Sequence, residues 1–513
     1  MEFTRETCRA ARLSHDPRFD GRVFIAVRTT RIFCRTVCPA RSPNEDNIDY
    51  YPSAAAALQA GFRPCLRCRP ESWGTAAWNG TSTTVARALR LIHEGALDGG
   101  GGDSSVDALA ERLGIGSRHL RRLFIQHLGA TPIAVAQAQR LLSAKKLIDE
   151  TTLPFTSIAV AAGYGSIRRF NAAFRATYGR SPRELRRGKK SGTKQRASSS
   201  GPCTLTLRFR PPYDYDALLE FAAKRAIAGV EFVQGDVYRR SFVLDGEAGW
   251  LEVRPHASHT LTLRVDFAGP TRLLQVVARV RRMFDLDADP LAIHSSLKRD
   301  PLLARLMQAR PGLRVPGAWD GFELGIRAIL GQQVSVAGAS TLAARLAARF
   351  GHALPFQIDG LAYTFPAPEE LVAADLAIGI PKSRADAIRE FAKAVSSGAL
   401  VFDSAHDGGT CVDRVCAIRG LGPWTAQYIA MRALSDPDAF PAGDLALLRA
   451  AGLKTAAQME RRAERWRPWR AYAAMHLWHR IQTQGVKDGT IGRLPGFVHV
   501  DGKPHRKAAA GGG

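Results

Sequence analysis

A chain of 513 residues is long enough to hold several cores, and its 45% apolar content suits ordinary globular domains. Lys and Arg number 72 against 47 Asp and Glu, a formal net charge of +25, so polyanions are the favoured partners and nucleic acid is the default. No apolar run approaches 18 residues, residues 1–20 are mixed and charged, and no amphipathic helix has the apolar face of a membrane-surface binder; membrane classes are therefore not expected. Eight cysteines, four of them in a metal pattern, fit a reducing cytoplasm better than a disulfide framework.

The first informative stretch is Phe33-Cys34-Arg35-Thr36-Val37-Cys38-Pro39, followed by Arg63-Pro64-Cys65-Leu66-Arg67-Cys68. Two close cysteine pairs separated by a longer loop suit tetrahedral thiolate coordination of zinc. Four thiolates on one zinc carry a net double negative charge, which Arg28, Arg31, Arg35, Arg41, Arg63, Arg67 and Arg69 would offset. Such a site can be a purely structural knuckle, or it can hold one thiolate available as a nucleophile. Cys8, Cys203, Cys411 and Cys416 have no metal spacing and read as ordinary thiols.

The runs Val27–Arg35, Tyr51-Pro52-Ser53-Ala54 and Ala60–Cys65 resemble the amino-terminal domain of the Ada DNA-repair proteins over about residues 1–75. The resemblance implies one zinc held by Cys34, Cys38, Cys65 and Cys68, with Cys34 taking a methyl group irreversibly from a DNA methylphosphotriester. It also implies that the centre, surrounded by Arg35, Arg41 and Arg67, faces DNA phosphates. Methylation of Cys34 would remove one negative charge from the centre and tighten DNA binding.

After the glycine patch at 99–102, an internal repeat appears. Leu109-Ala110-Glu111-Arg112-Leu113-Gly114-Ile115-Gly116-Ser117 is echoed by Ile158-Ala159-Val160-Ala161-Ala162-Gly163-Tyr164-Gly165-Ser166. Each reads as a short apolar helix, a Gly turn, a Ser N-cap and a second amphipathic helix, which is a helix-turn-helix signature present twice. The positions after each Ser are Arg118, His119, Arg121 and Arg122 in one unit, and Arg168, Arg169 and Asn171 in the other. They form either a solvated charged face or the early positions of a major-groove reader. The double unit resembles the AraC family of transcription regulators over roughly residues 84–187, which implies binding to promoter DNA and contact with RNA polymerase.

Residues 188–201 are basic and rich in Ser and Gly, a flexible linker with no means of building a core. Thr204-Leu205-Thr206-Leu207-Arg208-Phe209 then alternates like a strand, and helices dominate from about residue 290. Asp413–Tyr428 reads as helix, glycine hairpin, helix, with Gly420 and Gly422 allowing a tight turn whose N–H groups approach a phosphate. Asp444, which comes after the hairpin, suits a helix cap as well as a cleft carboxylate.

From about Thr204 to about Thr490 the sequence resembles the AlkA-type 3-methyladenine DNA glycosylases, through the hairpin string, Ile326–Ser335, Phe440–Asp444 and Ala463–Arg470. The resemblance implies hydrolytic excision of alkylated bases, Asp444 as the catalytic carboxylate, and a base pocket walled by Trp424, Tyr428 and Trp478. It implies DNA contacts from Gln333, Gly420 and Gly422, with a monovalent cation at the hairpin near Gly420. Trp424 stands where strand-cutting relatives carry a lysine, so no Schiff base is expected. Gln333 stands where a relative inserts a Leu wedge.

The expected architecture is multidomain and mainly α. It comprises a small zinc-bound α/β domain (1–80), a double helix-turn-helix (81–187), the linker (188–201), a TATA-binding-protein-like α+β domain (202–288), an all-α helix-hairpin-helix glycosylase domain (289–492) and a tail (493–513). The expected protein is a bacterial, cytoplasmic, nucleoid-associated monomer that acts on double-stranded and alkylated DNA. The competing reading is a methylation-sensing transcription activator whose glycosylase half is weak or inactive.

Overall fold

The computed structural model describes residues 3–40, 42–70, 83–98, 104–187, 202–269, 272–402 and 408–487. Arg41, the glycine patch, the linker and the tail lie outside the described residues.

The amino-terminal domain is a four-stranded sheet with Phe24–Val27 between Ile48–Tyr51 and Ile32–Arg35. The two-residue strand Arg63–Pro64 adds to Ile32–Arg35 in parallel, and this pairing brings the two cysteine pairs together. Ser53 caps the Ala54–Gln59 helix by accepting from Ala56 N, while its own hydroxyl donates to Leu128 O of the next domain at 2.7 Å.

The repeat folds as read, with one difference. Val106–Arg112 and Ser117–Leu128 form the first pair, Phe155–Ala161 and Ile167–Tyr178 the second, and the 19-residue Pro132–Glu150 helix joins them. Ser166 caps its helix by accepting from Arg169 N at 3.2 Å. Ser117 does not cap; it is the first helical residue, and Gly116 holds the cap position with no side-chain bond.

Beyond the linker, a five-stranded antiparallel sheet carries the helices Tyr215–Ala223 and Leu273–Met283. Its spatial order is Cys203–Arg208, Thr260–Phe267, Glu247–Pro255, Val237–Leu244, Glu231–Gln234. Helices from Pro290–Leu297 to Arg470–Lys487 build the last domain. It is not wholly α: a ribbon of Ala353–Ile358 and Leu361–Tyr363 leaves the helices and bridges back to Gly229 of the sheet domain. The connection needs backbone pairing across the domain boundary, which no helical periodicity reports.

The two halves of the chain are in contact. Arg210, fully buried, donates to Asp20 O at 3.1 Å and to Asp287 O at 3.0 Å. Arg22 pairs with Asp289, Lys146 Nζ donates to Thr206 O at 2.5 Å, and Thr206 N donates to Glu150 at 3.0 Å. Arg90 donates to Leu434 O, and Glu94 pairs with Arg282. Phe170 and Phe174 of the second helix-turn-helix and Leu147 of the joining helix share one core with the sheet domain.

Candidate active site and nucleic-acid interface

The four sulfurs of Cys34, Cys38, Cys65 and Cys68 all lie within 4.8 Å of one another. A tetrahedral centre with Zn–S near 2.3 Å needs sulfurs about 3.8 Å apart, so the donor set fits zinc. Cys38, Cys65 and Cys68 are buried, whereas Cys34 is half-exposed. The alternation along Ile32–Arg35 explains this: Phe33 and Arg35 face inward, and Cys34 faces the other way.

The same alternation turns Arg35, one of the three arginines expected around the centre, into the interior. It is only 2% exposed, its Nε bonds Asp20 Oδ1 at 2.7 Å, and its Nη1 donates to Cys68 O at 2.9 Å. Arg35 therefore braces the cysteine loop from inside and does not face phosphates. Arg67 is exposed beside the cluster, next to the exposed apolar Leu66.

On the two helix-turn-helix units, Arg118, His119, Arg121, Arg122, Arg168 and Arg169 are all exposed. Arg122 and His119 also bond each other at 2.9 Å. Ile125 and Ile167 are exposed apolar residues on the same two helices, a feature that the charged pattern concealed.

In the second half, Gly408–Cys416 and Pro423–Ala433 are the helices of the hairpin. Gly420 turns at φ +88°, a conformation open to glycine, and its carbonyl accepts from Gln332 Nε2 at 3.0 Å. Gly422 does not need that freedom; at φ −109° it serves as the N-cap before Pro423. Gln333 is exposed in the gap between Gly321–Leu330 and Val336–Phe350, held at φ +57°. It is thus presented to solvent on the same loop that Gln332 fastens to the hairpin.

Asp444 is both things that its sequence context allowed. As the N-cap of Leu445–Ala451 it accepts from Leu447 N at 2.9 Å. Its two oxygens also accept from Trp424 Nε1 at 2.9 Å and Trp478 Nε1 at 3.1 Å. The carboxyl is 2% exposed; burial raises its pKa, and the surrounding N–H donors hold it back.

Asp444, Tyr428 and Trp478 line one cavity of about 170 Å³ with Phe221, Leu313 and Met475. Trp424 lines an adjoining one of about 50 Å³, and Tyr428 and Arg225 border both. Trp424 and Tyr428 stack at 5.1 Å with their planes 13° apart. Phe221 and Arg225 come from the sheet domain, so the site lies at a domain junction. A reading confined to helical-domain motifs could not find them.

Fold and sites together define a class: a modular DNA-acting chain with a cysteine-cluster domain, paired helix-turn-helix units and a base-excision domain. The metal binding domain of Ada matches residues 7–71, and a helix-turn-helix domain matches 109–188. The AlkA N-terminal domain matches 204–320, and the HhH-GPD superfamily of base excision DNA repair proteins matches 326–470. The chain is 41% identical over 486 residues to the "Probable bifunctional transcriptional activator/DNA repair enzyme AlkA" of Mycobacterium tuberculosis, covering 93% of this chain and 96% of that one. It is 38% identical over 279 residues to DNA-3-methyladenine glycosylase 2 of Escherichia coli, covering 53% of this chain and 96% of the relative. It is 34% identical over 176 residues to the bifunctional transcriptional activator/DNA repair enzyme Ada of Escherichia coli, covering 34% and 47%. The chain belongs to the family of bifunctional activator/DNA repair proteins that join an Ada-type front half to an AlkA-type glycosylase.

Proposed function

We propose that the chain excises alkylated bases from DNA with its second half, and senses DNA alkylation and binds promoters with its first. The observation that carries the enzyme reading is the buried Asp444 carboxylate, fixed by two indole N–H groups and a backbone N–H beside an aromatic cavity. Breaking the C1′–N bond sends the electron pair to the base and leaves positive charge on the sugar, as in glycoside hydrolysis. An ionised Asp444 stabilises that charge while a water oxygen bonds C1′ and gives up its proton to solvent. Its anchored geometry means that the carboxylate needs no reorganisation as the charge develops. The target base must leave the duplex, and Trp424, Tyr428 and Trp478 offer aromatic faces to a cationic ring such as 3-methyladenine. With Trp424 in place of a lysine, the product is an unbroken abasic strand. Gln333, Gly420 and Gly422 form the duplex-contacting edge, where a monovalent cation would sit at hairpin carbonyls near Gly420.

In the front half, Cys34, Cys38, Cys65 and Cys68 would hold zinc, which keeps thiolates deprotonated at neutral pH. The half-exposed Cys34 sulfur attacks the triester methyl carbon. The new S–C bond forms as the C–O bond breaks, and the electron pair returns to phosphate. Arg41 and Arg67, with Arg118, His119, Arg121, Arg122, Arg168 and Arg169, supply the promoter contacts, and RNA polymerase is the downstream partner. The protein acts as a monomer in the bacterial cytoplasm; among the described residues no helix is long and apolar enough to cross a membrane.

The test is Asp444→Asn on duplex DNA carrying 3-methyladenine. Excision falls by about 100-fold or more while duplex binding stays within a few-fold. Undiminished excision by the variant refutes the assignment of Asp444.

A further inference from the structure

Tyr428 is held by its hydroxyl as well as by its ring. Arg432 lies one turn further along the same helix and is 7% exposed. Its Nε donates to Pro316 O at 2.7 Å and its Nη2 to Gly317 O at 3.2 Å. The remaining arm, Nη1, donates to Tyr428 Oη at 2.5 Å. The backbone closes the same clamp, since Ala318 N donates to Arg432 O at 3.1 Å.

The anchoring segment cannot shift easily. A Cβ at Gly317 would meet Arg282 O at 2.3 Å, so the chain there is packed backbone to backbone. Phe221 lies under the Arg432 guanidinium at 4.8 Å. The guanidinium thus has a fixed place, and it grips the phenol oxygen, which Arg225 also reaches, from the rigid side. At its other end the stack is fixed by Trp424, whose indole N–H reaches Asp444. The line Arg432, Tyr428, Trp424, Asp444 runs from a rigid backbone to the carboxylate without a gap. A ring free at its hydroxyl could tilt out of its 13° alignment with Trp424.

We propose that Arg432 is a positioning residue of the glycosylase, one that holds the plane of Tyr428 through its hydroxyl so that the cavity receives a flipped base without rearrangement. The proposal rests on the reading of the Asp444 cavity as the base pocket. Arg432 touches no reacting atom, so its effect falls on the fraction of bases seated in the pocket. Binding to the duplex itself, which depends on phosphate contacts, is left alone.

The experiment is a double-mutant cycle in the full-length protein with Arg432→Met, Tyr428→Phe and both together, and with Arg432→Lys as the conservative variant. Single-turnover excision of 7-methylguanine from a duplex is measured against protein concentration. Binding of free 7-methylguanine is followed by tryptophan quenching, a readout independent of catalysis. Arg432→Met is expected to lower the saturating rate and the affinity for free base by about tenfold, with half-saturation by duplex unchanged. Tyr428→Phe should do the same, the double variant should lose at most about twofold more, and Arg432→Lys should recover part of the loss. If Arg432→Met does not fold, the cycle is run with Arg432→Lys. Wild-type behaviour of Arg432→Met, or an equal further loss in the Tyr428→Phe background, overturns the proposal. A wild-type protein that binds free base but excises nothing would instead refute the glycosylase reading, and the quenching cycle would still decide the role of Arg432.

Discussion

A carboxylate buried against two indoles is costly to ionise, and the titration of Asp444 carries that cost. Burial raises its pKa above the ordinary 3.8, so the folded state takes up a proton more readily than the unfolded chain. Between 3.8 and the raised value the native state binds more protons, and stability falls as pH rises through that window. In the proposed mechanism activity runs the other way, because there only the ionised form stabilises sugar charge. Excision of 7-methylguanine, whose own charge is already in place, is expected to decline on acidification at a pH above 3.8; a flat rate down to that pH would contradict the role. Arg35 teaches a second lesson at this scale. Seven arginines near the cysteines suggest a cationic rim, but the alternation of Ile32–Arg35 places Arg35 on the same face as Phe33. The signal was in the sequence, in the period of two, and charge density obscured it. Arg432 left no such signal: a lone arginine one turn after a tyrosine is the pattern of an ordinary solvated helix face.

At the scale of elements, the motifs that depend on local chemistry were legible. The cysteine pairs, the repeated helix-turn-helix, the glycine hairpin and the strand alternation at Thr204 each rest on nearest-neighbour rules, and each stands in the structure. Their failures were also local. Ser117 and Ser166 occupy equivalent places in the repeat, yet only Ser166 caps. Ser166→Ala is expected to destabilise by about 1 kcal/mol in urea unfolding, and Ser117→Ala by much less. Equal costs would show that the two helix starts are alike in solution. The cysteine cluster depends on the parallel pairing of Ile32–Arg35 with Arg63–Pro64, so a metal held there would link two separate strands. Purified protein is expected to carry one zinc per chain, and Cys65→Ser to lose most of it on metal analysis. A full zinc complement in that variant would place the metal elsewhere.

At the scale of the whole molecule the sequence was silent. Composition and motifs place four modules in order, but a contact between modules is made by residues far apart in the chain, and none of its spacings repeats. Arg210 reads as one more basic residue near a strand end; in the structure it is fully buried between Asp20 of the first domain and Asp287 beyond the sheet. The cavity beside Asp444 has the same origin, since Phe221 and Arg225 reach it from another domain.

The buried seam around Arg210 has a consequence for how the polypeptide behaves when it is cut. Lys189, Lys190, Lys194 and Arg196 offer trypsin four sites in the stretch that joins the halves. While that stretch is intact, covalent connection keeps the halves at an effective concentration on the order of millimolar. Once it is severed, Arg210, Arg22, Lys146 and the shared apolar core must hold the pieces alone. Limited trypsin treatment should therefore give two bands in denaturing gels and one peak, of the original size, in gel filtration. Arg210→Met, which leaves the chain intact but weakens the seam, should split that peak after the same cut. Two peaks from the wild-type digest would mean that covalent tethering, and not the seam, keeps the repair and regulatory halves together.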